Sequence, residues 1–294
     1  MKYFLVIVAL LLSAVNTNAQ TDADTTEVKT WNLKGSAGLN FSQTSLSNWS
    51  AGGDNAVAGN AFLNAGLDYK KGHWLWQNTL ALEYGLTWTD TNNSQKSTDK
   101  IEIGTQIGYT TDNKWYYSAM ADFKSQFAKG YNYPNRDNYI SKFMAPAYSN
   151  VSVGIEYKPA DKFYSVYFSP LAGKFTFVND DYLSDLGSFG VDPGDKFRAE
   201  FGAYLKGKLE KDIMENVKLM TDANFFTAYD KSFGNVDVEW NLLLNMKINK
   251  YLNASLSTTL KYDDDVKYID SDGNQHGARV QFKEILGVGI GYNF

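Results

Sequence analysis

From residue 31 to the C-terminus, apolar side chains alternate with small or polar ones at a period of two. In the last stretch Leu286, Val288, Ile290, Tyr292 and Phe294 fall on one face, and Gly287, Gly289, Gly291 and Asn293 on the other. Successive strand side chains point to opposite faces, so this is a strand with one apolar face and one small or polar face. Upstream, Leu63, Ala65 and Leu67 alternate with Asn64, Gly66 and Asp68, and Phe197, Phe201 and Leu205 with Arg198, Glu200 and Lys206. Val238, Trp240 and Leu242 alternate with Asp237, Glu239 and Asn241. The pattern predicts twelve strands, near 31–44, 55–70, 73–89, 99–110, 114–128, 149–158, 162–178, 196–209, 216–229, 235–248, 251–262 and 279–294.

The connections alternate in length. Short ones fall at Lys71-Gly72, 111–113, 159–161, 210–215 and Asn249-Lys250; long ones, rich in Asn, Asp, Gly and Ser, fall at 45–54, 90–98, 129–148, 179–195 and 263–278. Residues 230–234 occupy a long-loop slot but form a short connection. Strands of ten or more residues with alternating short turns and long loops predict an all-β, antiparallel up-and-down transmembrane barrel. Twelve strands are expected, ten or fourteen being the alternatives; strands of a soluble sandwich are roughly half as long. In hydrocarbon an open sheet edge would leave backbone groups unpaired, so the last strand must close against the first. Both termini then lie on the short-turn, periplasmic side, and the count must be even. Tyr69, Trp74, Trp76, Tyr109, Trp115, Tyr157, Tyr164 and Tyr292 sit beside the short turns; Phe41, Trp88, Phe127, Phe197, Tyr229, Tyr262 and Phe282 sit beside the long loops. Two aromatic girdles are expected where amphipathic rings meet the headgroups.

The N-terminus changes what counts as the mature protein. Met1-Lys2 precedes an apolar run from Tyr3 to Val15, and Ala19 supplies a small residue for cleavage, so residues 1–19 read as an export signal. The run is too short for a spanning helix of roughly 20 residues. Polar residues 20–30 read as a disordered periplasmic leader, followed by the barrel at 31–294. Aromatic residues make up 15% of the chain, which supports a membrane barrel over a soluble secreted protein. There is no cysteine, hence no lipid-bearing cysteine after the cleavage site and no disulfide framework. A formal charge of −5 without basic clusters argues against nucleic acid.

Four segments resemble a family of uncharacterised Gram-negative outer-membrane proteins, a domain family with no assigned function. They are Phe41–Trp49 running into Gly52-Gly53, Ser141–Pro146, Ser169–Phe177, and Phe189–Gly194 followed by Arg198–Gly202. The resemblance runs over nearly the whole mature chain. It implies fold and location and brings no catalytic residue. The terminal aromatic Phe294, after the outward series Leu286, Val288, Ile290 and Tyr292, resembles the C-terminal signal read by barrel-assembly machinery. The expected partners are therefore that machinery and outer-membrane lipid.

Strand parity places a charged set in the lumen: Asp68, Glu83, Glu102, Asp122, Glu156, Glu200, Asp222, Asp237 and Glu239 against Lys124, Arg198, Lys206, Lys247 and other bases such as Lys34 and Lys261. The signs nearly balance. Such a set either fills the interior with ion pairs, giving a closed barrel with a structural or loop-binding role, or lines a narrow channel for small hydrophilic solutes. Inward Gly66, Gly85, Gly104, Gly108, Gly154 and Gly202 subtract side-chain volume and favour space for water. Catalysis is not expected: His73 lies in a short turn and His276 in an outer loop, at opposite ends, and no cofactor motif is present. Gly52-Gly53 is not followed by Lys-Ser/Thr, so it reads as turn geometry and not a phosphate loop. Asp263–Asp265 and Asp270–Asn274 lack calcium-loop spacing and read as solvated loop acids. Tyr131, Tyr133, Pro134, Arg136 and Tyr139 make the third outer loop a candidate for ligand contact or for packing over the mouth, packing being the preferred reading.

Overall fold

The computed structural model describes residues 30–45, 55–90, 94–230, 233–249, 252–269 and 275–294. The expected export signal, the leader up to residue 29, Gly52-Gly53 and Asp270–Asn274 lie outside the described residues. Twelve long strands form one closed antiparallel barrel. In chain order they are β1 (Trp31–Thr44), β2 (Ala56–Lys71), β3 (Trp74–Thr89), β4 (Gln95–Thr110), β5 (Trp115–Ser125) and β6 (Ala147–Tyr157), then β7 (Tyr164–Phe177), β8 (Phe197–Met214), β9 (Val217–Ala228), β10 (Asp237–Lys247), β11 (Leu252–Tyr262) and β12 (Gln281–Asn293). Each strand pairs with its chain neighbours, and β12 returns to β1 with Leu39 opposite Ile290 and Phe41 opposite Val288. Backbone bonds join Gly35 and Phe294 in both directions, at 2.8 and 3.0 Å, so the last residue finishes the seam. Closure pairs the backbone without a free edge, as hydrocarbon requires.

The outside of this cylinder is apolar. Leu171 is 71% exposed, Leu286 67%, Phe201 65% and Ile290 63%, with Val153, Ile155, Val166 and Phe168 similarly outward. No water-soluble monomer carries a continuous apolar belt of this extent, so the wall faces lipid. Even the indoles within the belt are satisfied: Trp76 Nε1 donates to Thr105 Oγ1 at 2.8 Å and Trp240 Nε1 to Thr221 Oγ1 at 2.9 Å. Aromatic rings touch along the short-turn rim, Trp31 with Tyr69 at 4.8 Å, Trp74 with Tyr109 at 5.1 Å and Trp115 with Tyr157 at 4.7 Å. At the loop end Phe197 meets Phe177 at 5.2 Å. Among the described residues no helix is long and apolar enough to cross a membrane.

All twelve predicted strands are present. β4 starts earlier than its alternation suggests because Ser97 forms a bulge opposite Gly85 and Leu86. β8 runs to Met214, reducing the predicted turn at 210–215 to two residues. The largest departure is in β7. Its register slips by one residue against both neighbours, between Phe168 and Leu171 on one side and Ser169 and Ala172 on the other. Pro170 sits at this slip and has no N–H to give a ladder. Gly154 and Gly202 stand beside it, where an added Cβ would fall 2.1 Å from Phe168 O and 2.0 Å from Thr227 O respectively.

The third and fourth long loops dock on one another. Ala145, Val178, Leu183 and Val191 form a small buried core, with Tyr139 and Phe189 packed against it. Asp180 caps the one-turn helix Asp181–Asp185 by accepting from Leu183 N at 3.0 Å, and also accepts from Tyr139 Oη. The third loop carries a small hairpin, Gly130–Tyr131 with Tyr139–Ser141, held to β4 through Lys96 N donating to Tyr133 Oη and Arg136 donating to Ser94 O.

Candidate functional site

Among the described residues, charged side chains converge most densely in the interior. Even-numbered β5 side chains and odd-numbered β10 side chains point inward, and these strands stand five places apart around the twelve-stranded wall. Even so, Lys124 on β5 meets Glu239 on β10 at 2.7 Å. This ion pair is a chord across the lumen. It divides the interior into a side bounded by β6–β9 and a side bounded by β11, β12 and β1–β4.

The β6–β9 side is filled. Met120, Tyr167, Ala172, Tyr204, Phe226 and Ala228 pack together there, with the Tyr167 and Tyr204 rings at 6.2 Å. Their hydroxyls are satisfied, Tyr204 Oη donating to Asn224 Oδ1 at 2.8 Å and Tyr167 Oη pairing with Ser152 Oγ at 2.9 Å. Above them Lys174 reaches Asp237 at 2.6 Å, Asp263 at 2.8 Å and Glu200 at 3.7 Å. Arg198 joins the same group through Asp265 at 2.6 Å and Glu200 at 3.1 Å, and donates to Gly190 O at 3.0 Å. Two cations thus hold four carboxylates, two of them from the segment after β11.

The opposite side is wetter. Lys100 and Glu102 pair at 3.6 Å with both side chains 35% exposed, and Lys261, 3.7 Å from Glu239, is 46% exposed. The remaining sequence-predicted residues spread over the wall. Glu83 accepts from Asn60 at 2.6 Å, Asp122 from Asn150 at 2.9 Å, and Asp222 from Asn224 and Asn241. Glu156 accepts from Gln106 at 2.9 Å, and Asp68 meets Lys34 at 3.3 Å. Lys206 and Lys247 join no ion pair among the described residues. Leu286, Val288, Ile290 and Tyr292 stand exposed on the outer face of β12, and the Phe294 ring stacks on Tyr292 at 6.2 Å and covers Gly35.

Three expectations need correction. The inward glycines do not leave open space: a Cβ at Gly85 would lie 2.4 Å from Thr98 Oγ1, at Gly104 2.7 Å from Thr79 Oγ1, and at Gly108 3.0 Å from Ser118 Oγ. On β12, Asn40 lies over Gly287 and Gly289 and Asn253 over Gly291, so these glycines admit neighbouring side chains. Asp263 and Asp265 are not solvated loop acids but partners of Lys174 and Arg198. Lys174, the most connected cation inside, is missing from the predicted set because the Pro170 bulge reverses the parity of the strand after it. The signal was present: outward residues run Tyr164, Val166, Phe168 before the proline and Leu171, Phe175, Phe177 after it.

His73, in the turn between β2 and β3, and His276, in the outer hairpin strand Gln275–Ala278, stand at opposite ends of the barrel. Among the described residues no group of His, Cys, Asp and Glu has the arrangement of a metal site. The third outer loop borders a cavity of about 310 Å³ lined in part by Lys96, Tyr131, Tyr133 and Lys283. Its polar anchors are engaged internally, Lys96 Nζ with Asp99, Gln126 Oε1 and Ala128 O.

A search of curated proteins finds no match. Among solved structures the chain is similar to the translocator domain of the autotransporter NalP from Neisseria meningitidis, at 10% identity and a TM-score of 0.37, over 99% of this chain and 96% of that one. It is also similar to an outer-membrane channel from Pseudomonas putida F1, at 10% identity and a TM-score of 0.40, over 93% and 100% of the two chains. The NanC porin is similar at 8% identity and a TM-score of 0.40, over 88% and 98%. The closed register and apolar belt make the protein an outer-membrane-type β-barrel, and residues 41–131, which contain the first of the four family-like segments, match the family described as "Protein of unknown function (DUF3078)".

Proposed function

We propose that the protein is a narrow, off-axis outer-membrane channel for small hydrophilic solutes. The observation that carries this reading is the unequal filling on the two sides of the Lys124–Glu239 chord. Tyrosines and ion pairs occupy the β6–β9 side, whereas on the other Lys100 and Glu102 in the middle of β4, and Lys261 near the loop end of β11, remain partly exposed to solvent. Opposed charges lining a wet, constricted path suit small polar solutes and pass no apolar cargo. In this reading residues 1–19 direct export, the assembly machinery reads Leu286 to Phe294, and both termini face the periplasm. The short-turn rim, where Trp31 begins and Phe294 ends, supports that orientation. Planar-bilayer recording tests the proposal. Purified, folded protein is expected to give small discrete conductance steps, altered by Glu102→Ala; a silent bilayer with heat-modifiable, correctly folded protein overturns it.

A second reading, a closed barrel serving through its outer loops, is favoured by one observation. Asp263 and Asp265 hold the segment after β11 against Lys174 and Arg198, beneath the loop-end mouth. It predicts a silent wild type that begins to conduct when both aspartates become asparagine.

A further inference from the structure

At the short-turn mouth the charge balance tips towards positive. Lys34, Lys158, Lys208, Lys218 and Lys247 occupy inward positions or the rim of that half, against Asp68, Glu156, Glu210, Asp212 and Asp222, and the turns add Lys70, Lys71, Lys114, Lys162 and Lys211 against Asp112, Asp161 and Glu215. Lys158, one residue past β6, crosses the opening and donates to Gln77 Oε1 on β3, three places round the wall. It meets a neutral amide there; the nearby carboxylate Asp68 is engaged with Gln77 Nε2 and Lys34, both at 3.3 Å. Lys247 likewise joins no ion pair among the described residues, Lys206 lies deeper and faces Asp122, and Lys208 stands 3.8 Å from Glu210, which Lys218 holds at 2.5 Å. Burial holds the Lys158 ammonium below the usual lysine range; Glu156 and Asp68 oppose that shift, while Lys208 and Lys34 repel it further. A partly desolvated cation among like charges gains most from an added negative partner. The loop half is the reverse, with Lys124, Lys174 and Arg198 all neutralised by acids.

We propose that this mouth is a binding site for compact oxyanions, with Lys158 as the direct contact and Lys208 flanking it. A tetrahedral or planar oxyanion would take the donors that Lys158 does not spend on Gln77, and Glu156 sets the limit on how much negative charge the site tolerates. The inference rests on water reaching the interior, as the channel reading requires, but not on conduction. Isothermal titration of inorganic phosphate into the detergent-solubilised, full-length barrel is the test. A saturable heat is expected from the wild type, weakened roughly tenfold or more in Lys158→Gln, as for loss of a charge-assisted hydrogen bond, and retained in Lys158→Arg. Lys196→Gln, paired with Asp181 at the loop end, is expected to bind as the wild type does, and an equal loss there overturns the site. No heat from the wild type, or equal binding by Lys158→Gln, overturns the site. Heat modifiability on a gel verifies that each variant is folded. Phosphate binding with a silent bilayer would overturn the channel and keep the site; conduction without binding would do the opposite.

Discussion

The two sides of the lumen divided by the Lys124–Glu239 chord are built from the same period-two pattern and end up differently. Strands β6–β9 point Tyr167, Tyr204, Phe226 and Lys174 inward, and these meet one another; β11, β12 and β1–β4 point in mainly small and amide-bearing residues such as Asn40, Asn60, Ser255 and Ser257. Both walls look alike from outside, where each must satisfy the same lipid. The inner face is free to differ: one wall carries packed rings and ion pairs, the other smaller polar side chains.

The sharpest way to break this contrast is to remove one cation from each side. Lys174→Ala would leave Asp237, Asp263 and Glu200 facing each other without their shared ammonium, and is expected to cost about 3 kcal/mol. Lys34→Ala, whose side chain is 59% exposed, is expected to change stability by less than about 0.5 kcal/mol. Urea unfolding of both variants in detergent micelles checks the pair. Similar losses would mean that the two sides are not energetically distinct.

A second test uses packing in place of charge. Tyr204→Ala removes a ring wedged against Tyr167 and strands the Asn224 carbonyl, for an expected loss of about 3 kcal/mol. Ser257→Ala, on the opposite wall, should be neutral within about 0.5 kcal/mol. The third comparison lies within one strand. Gly202→Ala would place a Cβ against Thr227 O and is expected to destabilise by about 1–3 kcal/mol, whereas Gly207→Ala meets nothing within 4 Å and should be neutral or mildly stabilising. Equal behaviour of the two glycines would show that the wall beside the Pro170 bulge relaxes freely.

How much of this was legible in the sequence follows the same division. Strand number, outward parity and the two aromatic rims repeat along the chain, so alternation alone carries them. The cross-lumen contacts do not repeat. Whether Lys124 meets Glu239, 115 residues away, depends on how far the strands are staggered on closure, which no local pattern encodes. Lys174 was hidden by a single bulge, since a one-residue slip turns every later side chain to the other face. Asp263 and Asp265 looked like solvent-facing loop residues because nothing local reveals that their segment turns inward. In the sequence an inward glycine is missing volume, but whether a gap stays empty depends on the neighbouring strand, and Asn40, Thr98 and Asn253 fill it.

The smallest expected effect concerns the loops above the mouth and sharpens the contrast by showing what is not part of it. Asp180 is buried at 8% exposure; burial alone would raise its carboxyl, but hydrogen bonds from Lys142, the Leu183 N–H and Tyr139 hold it below the usual carboxylate range. A depressed carboxylate contributes stability that is fully present above its unfolded value and is lost as pH falls through the folded value. The docking of the third loop on the fourth should therefore be constant at neutral pH and loosen only below about pH 4, near the ordinary aspartate value. Hydrogen exchange of the Leu183 and Ser184 amides, followed from pH 7 downwards and corrected for intrinsic rates, is the measurement. Asp180→Asn, which keeps a helix-capping acceptor and loses the charge on Lys142, should show weak protection independent of pH. The fourth loop touches the filled side through Arg198, which donates to Gly190 O, but Asp180 makes no part of that contact, so the barrel's own urea midpoint should not move with this substitution; if it does, the loops and the filled wall unfold as one unit.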